Sequence, residues 1–293
     1  MKALPSSDFR AMRYMLEDDD FASVSGEYPG PIDLIDKHTW KSIVALPDDV
    51  SIRTSDKYGP QLGQMWKFWG MWPRVVGGIQ HLTKNDEDFP TAIAACDSTD
   101  EFQAGTYAVL VGYYRVAYSC LRNVLERVTI ATQLALSSNA NDIEAWKAAE
   151  ERIKLGWAAD LLPRTPLINA LEKHLQTTIG DTLFSQSPKG FVRRLFVQFS
   201  KYTHGASGFA DADLRQSNGP IFLPKTFLDW CVAALKTYGI ALHELKLAHP
   251  GLKKLPWGPP SLTLNEFRHQ VIACIPSNDQ DLPILKALAD FVK

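Results

Sequence analysis

The sequence predicts an all-α fold, a bundle of four or five long helices with irregular N-terminal and C-terminal flanks. Three observations carry this. Segments of helical period follow one another from about residue 60 to residue 250, separated by proline and glycine breakers. Strand signals are sparse: Val50 to Thr54 is one short candidate, and no Asn-Gly or Asp-Gly pair lies between alternating runs. The segment Gly105 to Leu136 is almost wholly apolar with one narrow polar stripe, the pattern of a helix that belongs in a core.

Residues 1–58 are polar and turn-rich, with an acidic run from Glu17 to Asp20 and breakers at Pro29, Gly30, Pro31 and Pro47. They are expected to wrap a core made elsewhere, residues 59–250 to form the helical core, and residues 251–293 a helical tail, all as one compact unit. The first core helix is predicted over Pro60–Leu82, with Pro60 suited to a first turn and Ser55 or Asp56 upstream as caps. A short piece covers Pro90–Cys96, and the long central helix, Gly105–Leu136, is entered through Ser98 to Glu101. Asn141–Leu162 follows, broken by Pro163 and Pro166, then Leu167–Ile179, stopped at Gly180. Lys189–His204 is strongly periodic and stops at Gly205, and Lys225–His249 begins after Pro224 and ends at Pro250 and Gly251. The tail opens with a rigid proline-rich stretch at 256–260 and closes with an amphipathic helix near Asp281–Val292.

Composition narrows the function classes. A chain of 293 residues with 45% hydrophobic and 22% charged residues reads as an ordinary globular protein. A net charge of −2 gives no overall signature for nucleic acid, so any basic surface is local. Cys96, Cys120, Cys231 and Cys274 are widely separated without a C-x-x-C pair, which reads as reduced thiols of a cytoplasmic protein. The N-terminus lacks a signal-peptide h-region, and no stretch reaches the ~18 apolar residues that span a bilayer, so no membrane role is expected. The histidines include no H-E-x-x-H pattern, and there is neither a phosphate-loop fingerprint nor a G-x-S-x-G elbow. No metal site and no cofactor are predicted.

Four features remain as candidates for function. The stripe on the central helix consists of Arg115, Ser119, Arg122, Glu126, Thr129 and Gln133, at spacings of 4, 3, 4, 3 and 4. Arg122 and Glu126 are expected to be largely buried and to meet another segment, either as a structural polar network or as part of a site. On Lys189–His204, the residues Arg193, Arg194, Lys201 and His204 form a face without an acidic residue, opposite Val192, Leu195, Phe196, Phe199 and Tyr202. Arg193 and His204 lie in line about 16 Å apart along the axis, a spacing that suits an extended polyanion or a plain solvated face. The following segment, Gly205 to Asn218, offers Arg215, Ser217 and Asn218 as phosphate-type donors, or is simply an interhelix connection. The helix bearing Met65, Trp66, Phe68, Trp69, Met71 and Trp72 is expected in the core or in a subunit interface, with base stacking as a lesser alternative.

Two of these segments together resemble a known superfamily. The Arg-x-x-x-Glu core from Arg122 to Glu126 and the Ser-x-Tyr-x-His-Gly element from Ser200 to Gly205 are similar to HEPN proteins, "higher eukaryotes and prokaryotes nucleotide-binding" domains, over roughly residues 105–249. The resemblance implies an all-α homodimer and a cytoplasmic effector of bacterial defence or stress response that acts on RNA, in some members as a metal-independent ribonuclease. It implies His204 as general acid or base with Arg122 and Glu126 in the catalytic set, and Arg193, Arg194, Lys201, Arg215, Ser217 and Asn218 toward RNA or a nucleotide. Catalytic members carry an arginine and a histidine close together on one helix; here ten and nine residues separate Arg193 and Arg194 from His204. The alternative is a non-catalytic helical scaffold that holds a partner protein or a nucleotide.

Overall fold

The computed structural model describes residues 43, 45–82, 89–203, 220–252 and 264–291. Every regular element among them is helical: α1 (Leu46–Leu82), α2 (Phe89–Leu110), α3 (Tyr114–Ser137), α4 (Ala140–Lys147), α5 (Leu155–Leu161), α6 (Pro166–Ile179), α7 (Phe191–Thr203), α8 (Pro224–Ala248), α9 (Leu264–Ala273) and α10 (Leu282–Phe291), with a 3-10 turn at Leu162–Arg164. The fold is all-α, with four long helices, α1, α2, α3 and α8, flanked by shorter ones. No helix among the described residues is long and apolar enough to cross a membrane. All four cysteines are free thiols, and Cys120 and Cys231 are buried.

The central element is α8, whose side chains are buried almost without interruption from Trp230 to Leu247. It runs in the same direction as α1, since Tyr58 stacks on Phe227 near one end and Phe68 meets Tyr238 further along. It runs opposite to α2, where Phe102 packs on Tyr238 and Thr91 bonds His249 at 2.6 Å. Trp72 locks the three together: its indole donates to Ala95 O at 2.8 Å while its ring sits edge-on to Phe102 and Tyr238. The Tyr238 hydroxyl donates in turn to Phe68 O. Trp69 and Trp72 are therefore core residues, as expected, whereas Trp66 is 70% exposed and lies outside the core.

The predicted helix across Gly105–Leu136 is two helices. The chain turns at Gly112, which adopts φ +84. Gly112 N donates to Val109 O at 3.2 Å and Tyr113 N to Ala108 O at 2.7 Å, the pair of bonds that closes a helix with a left-handed glycine. The apolar periodicity continues through the break because α2 and α3 fold back on each other and bury both halves against the same core. That is why the pattern reads as one helix. The turn is also a packing site: a Cβ on Gly112 would stand 2.4 Å from Ile221 O and 2.5 Å from Ile221 N.

Other boundaries shift for local reasons. The strand candidate Val50–Thr54 is helical and belongs to α1, whose first turn carries Asp48 and Asp49, favourable beside the exposed N–H groups. Tyr58, at φ −126, kinks that helix just before Pro60. The segment Asn141–Leu162 splits into α4 and α5: Asn139 caps α4 through Asn141 N at 3.0 Å, and Ala149 takes a left-handed φ of +54 between the two. Helix α9 was not foreseen, while α6, α7, α8 and α10 lie within two residues of their predicted limits.

Gly112→Ala is expected to lower unfolding free energy by at least about 2 kcal/mol, combining left-handed strain with the contact on Ile221. Chemical denaturation followed by helical circular dichroism checks this; a loss below about 0.5 kcal/mol would contradict the packed turn.

Candidate functional site: a polar seam between α3 and α7

Helix α7 lies antiparallel against α3. Its apolar face, Phe191, Val192, Leu195, Phe199 and Tyr202, is buried, and Tyr202 stacks on Tyr118 with centroids 3.9 Å apart and planes 6° apart. This packing lays the polar stripe of α3 along the edge of α7. Arg115 Nε donates to Tyr202 O at 3.1 Å. Arg122 Nε donates to Ser200 Oγ at 3.2 Å, with its guanidinium carbon 4.6 Å from the Phe196 ring centroid. Arg122 also pairs with Glu126 at 3.5 Å, and Glu126 Oε1 accepts from Leu155 N at 3.4 Å, the first residue of α5.

The stripe is graded rather than uniformly buried. The Arg122 and Glu126 side chains are 22% and 23% exposed, so this pair is half-open, not the enclosed ion pair expected from the sequence. Its partners come from the edge of α7, at Ser200, and from the first residue of α5, Leu155. Further along, Thr129 and Gln133 are buried, where α8 covers them. The Thr129 hydroxyl lies 3.1 and 3.2 Å from the two carboxyl oxygens of Glu244. The side-chain oxygen of Gln133 has no hydrogen-bond partner among the described residues.

Two of the cations expected on this face, Arg193 and Arg194, are engaged in ion pairs. Arg193 is 15% exposed, pairs with Asp160 of α5 and donates from Nε to Phe184 O at 2.6 Å. Arg194 binds Asp181 with both terminal nitrogens, at 2.9 and 2.7 Å, and reaches Asp281 at 3.4 Å. Burial pushes the Asp181 carboxyl up, but the Arg194 and Thr182 N hydrogen bonds outweigh it and hold its pKa below the usual range. The same contacts raise Arg194 above its ordinary value. Asp281 also takes Lys236 of α8 at 2.7 Å, and Asp279 takes it at 2.8 Å. The acids come from α5, from the residues after α6 and from those before α10, so their absence within residues 189–204 does not reveal them. Lys201 is exposed near the end of α7. His204, Arg215, Ser217 and Asn218 lie outside the described residues.

A second polar group, on α8, went unnoticed in the sequence. Glu244 is fully enclosed, and burial, against the smaller effect of the Thr129 hydrogen bond, raises its pKa to about 8. Next to it His243, 1% exposed, has Nδ1 3.1 Å from the Arg268 guanidinium, which also donates to Leu288 O at 2.9 Å. Burial, and then the Arg268 charge, hold His243 far below its normal pKa, so the ring is neutral and its proton sits on Nε2. Arg268 itself is lowered to about 10 by burial. The signal available was a His-Glu pair inside the apolar run Ile240 to Leu245, a place where both faces of a helix need cover. Among the described residues no group of three or more His, Cys, Asp or Glu side chains is arranged to hold a metal ion.

Glu126→Ala is expected to cost about 1 kcal/mol in thermal or denaturant unfolding, because a half-screened pair and a hydrogen bond to the start of α5 are lost rather than a buried charge stranded. A cost above about 3 kcal/mol would show that the pair is enclosed. Glu244 gives a pH signature. Its folded pKa, about 8, exceeds the unfolded carboxyl value, so its contribution is complete below about pH 4.3 and is lost as pH rises through 8. Stability relative to Glu244→Gln should therefore fall by roughly 1 kcal/mol per pH unit between pH 5 and 8. Parallel curves for the two proteins would overturn the protonated, buried state.

The chain matches no protein-family model, no curated protein and no solved structure.

Proposed function

We propose that the protein is an HEPN-like effector that acts on RNA in a bacterial-type defence or stress response, with the α3–α7 seam as its working surface. One observation carries this reading: Arg122 is held against Ser200 of α7 while its side chain stays 22% exposed. A guanidinium fixed by a serine, a phenyl ring and a carboxylate is pre-oriented, and its remaining N–H donors suit a phosphate oxygen. Tyr202 and Arg115 bring the end of α7 to the same place. In sequence, His204 follows Thr203, the last residue of α7. In the catalytic form of the proposal, His204 takes the proton from a ribose 2′-hydroxyl as that oxygen attacks phosphorus. The P–O5′ bond breaks, a proton is returned to the leaving oxygen, and Arg122 stabilises the phosphorane charge.

A second reading is favoured by the ion pairs of Arg193 and Arg194. With both arginines engaged by Asp160, Asp181 and Asp281, the chain fits a non-catalytic helical scaffold that holds a partner protein or a nucleotide.

The two are separated by assays on the purified full chain. Anisotropy of a labelled single-stranded RNA is followed at two salt concentrations, and cleavage is followed in a metal chelator. The RNA reading expects binding that weakens with salt, by about 0.7 in log–log slope for each phosphate contacted. It expects Arg122→Ala to weaken binding about tenfold, and His204→Ala to abolish cleavage while binding persists. Binding without cleavage retains RNA recognition and removes the chemistry. Absence of both leaves the scaffold.

A further inference from the structure

A groove on the opposite helices has no role in that reading. It lies between α1 and α2, encloses about 490 Å³, and is lined by Leu62, Gly63, Trp66, Trp69, Gln103, Thr106, Tyr107 and Leu110. We propose that it is a binding site for a compact, flat, uncharged aromatic molecule.

Its chemistry sets the ligand class. Among the described residues no acidic or basic side chain lines it, so a phosphate or carboxylate entering it would lose hydration without gaining a counter-charge from them. The walls are aromatic: Trp69 is buried, Trp66 stands edge-on to it with centroids 6.3 Å apart at 69°, and Tyr107 rises from α2. Trp66 and Tyr107 are 70% and 67% exposed, leaving much of two large π faces in water, where a flat ring would cover them. Two side chains supply polarity. Gln103 is exposed, with both donor and acceptor, and Thr106 donates to Phe102 O and keeps acceptor capacity toward a ligand. Apolar walls with a few placed polar groups are the general make-up of a small-molecule site, and the volume falls in the usual range.

Gly63 is the independent observation. It stands inside α1, where glycine costs roughly 0.5–1 kcal/mol relative to alanine. No packing contact requires it, since a Cβ there would meet nothing within 4 Å. Gly63 is exposed and lines the groove, so a side chain there would take space in which a ring can lie close to the backbone of α1. Size favours a compact ligand over a docked helix. The lining residues Leu62–Trp69 and Gln103–Leu110 each cover two helical turns, about 10 Å, which suits two or three fused rings but is short for the successive anchors of an amphipathic helix.

The test uses the full chain and N-phenyl-1-naphthylamine, a neutral aromatic probe whose fluorescence rises in apolar sites. Saturable one-to-one binding is expected. Trp66→Ala removes an exposed wall and Gly63→Leu places a large side chain, on a better helix former, in the groove, so each should weaken binding at least tenfold without lowering the melting temperature. Val197→Ser, at an exposed apolar position on α7, should leave affinity unchanged. The anionic analogue anilinonaphthalene sulfonate should bind at least tenfold more weakly. Absent or unsaturable binding, binding indifferent to both groove variants, or equal affinity for the two probes would overturn the proposal. Sedimentation of the same samples supplies the remaining outcome: a dimer that both variants dissociate would show that a second copy, not a small molecule, fills the groove. None of these readouts depends on RNA.

Discussion

The enclosure of α8 is the constraint on which the rest of the structure depends. A helix of 25 residues buried from Trp230 to Leu247 has no solvent-facing side on which to place polar groups. Most find a partner inside the protein or lose their charge, while Trp230 Nε1 and His243 Nε2 have no hydrogen-bond partner among the described residues. Lys236 takes the first course, bound between Asp279 and Asp281, and those acids hold the segment that leads into α10. Glu244 and His243 take the second, one protonated and the other deprotonated, with Thr129 and Arg268 as their neighbours. The helices packed around α8 thus meet it through hydrophobic contact and through a few polar contacts that fix their registers.

Helix α7 shows how this core reaches the surface. Asp281, already bound to Lys236 of α8, also accepts from Arg194, and Arg194 is held by Asp181. A chain of alternating charges therefore runs from the interior to the outer face of α7, where exposed pairs alone contribute little. Its effect is positional. It fixes the start of α7 while stacking of Tyr118 on Tyr202 fixes the end, so Ser200 arrives at Arg122 with little freedom.

Much of this was legible in the sequence because helix signals are local. Pro224, Gly180 and Pro166 mark real ends, and the apolar period of α7 names Val192, Leu195, Phe199 and Tyr202 as buried, whereas Phe196, expected with them, is half-buried beside Arg122. The break at Gly112 was hidden by apolar side chains on both sides of it, and the reading of Val50–Thr54 as a strand came from its β-branched residues, which tertiary packing overrode. At the candidate site, the stripe of α3 was readable and so was its need for a facing segment. Its depth was not, because exposure depends on the segments that assemble around it. The engagement of Arg193 and Arg194 was equally invisible: Asp160 and Asp281 are distant in sequence, and only the assembled fold brings them near.

The start of α3 joins two parts of the chain that are far apart in order. Arg115 holds Tyr202, near the end of α7, while the Tyr114 hydroxyl bonds Leu223 N and O at 3.0 and 3.2 Å, and Gly112 lies against Ile221. Tyr202 and Leu223 are therefore held at one place by two consecutive residues. Closing a connection at fixed ends costs an entropy that grows only with the logarithm of its length. The end of α7 and the start of α8 are thus set against each other by α3, and the cost of that closure depends only weakly on the number of residues between them.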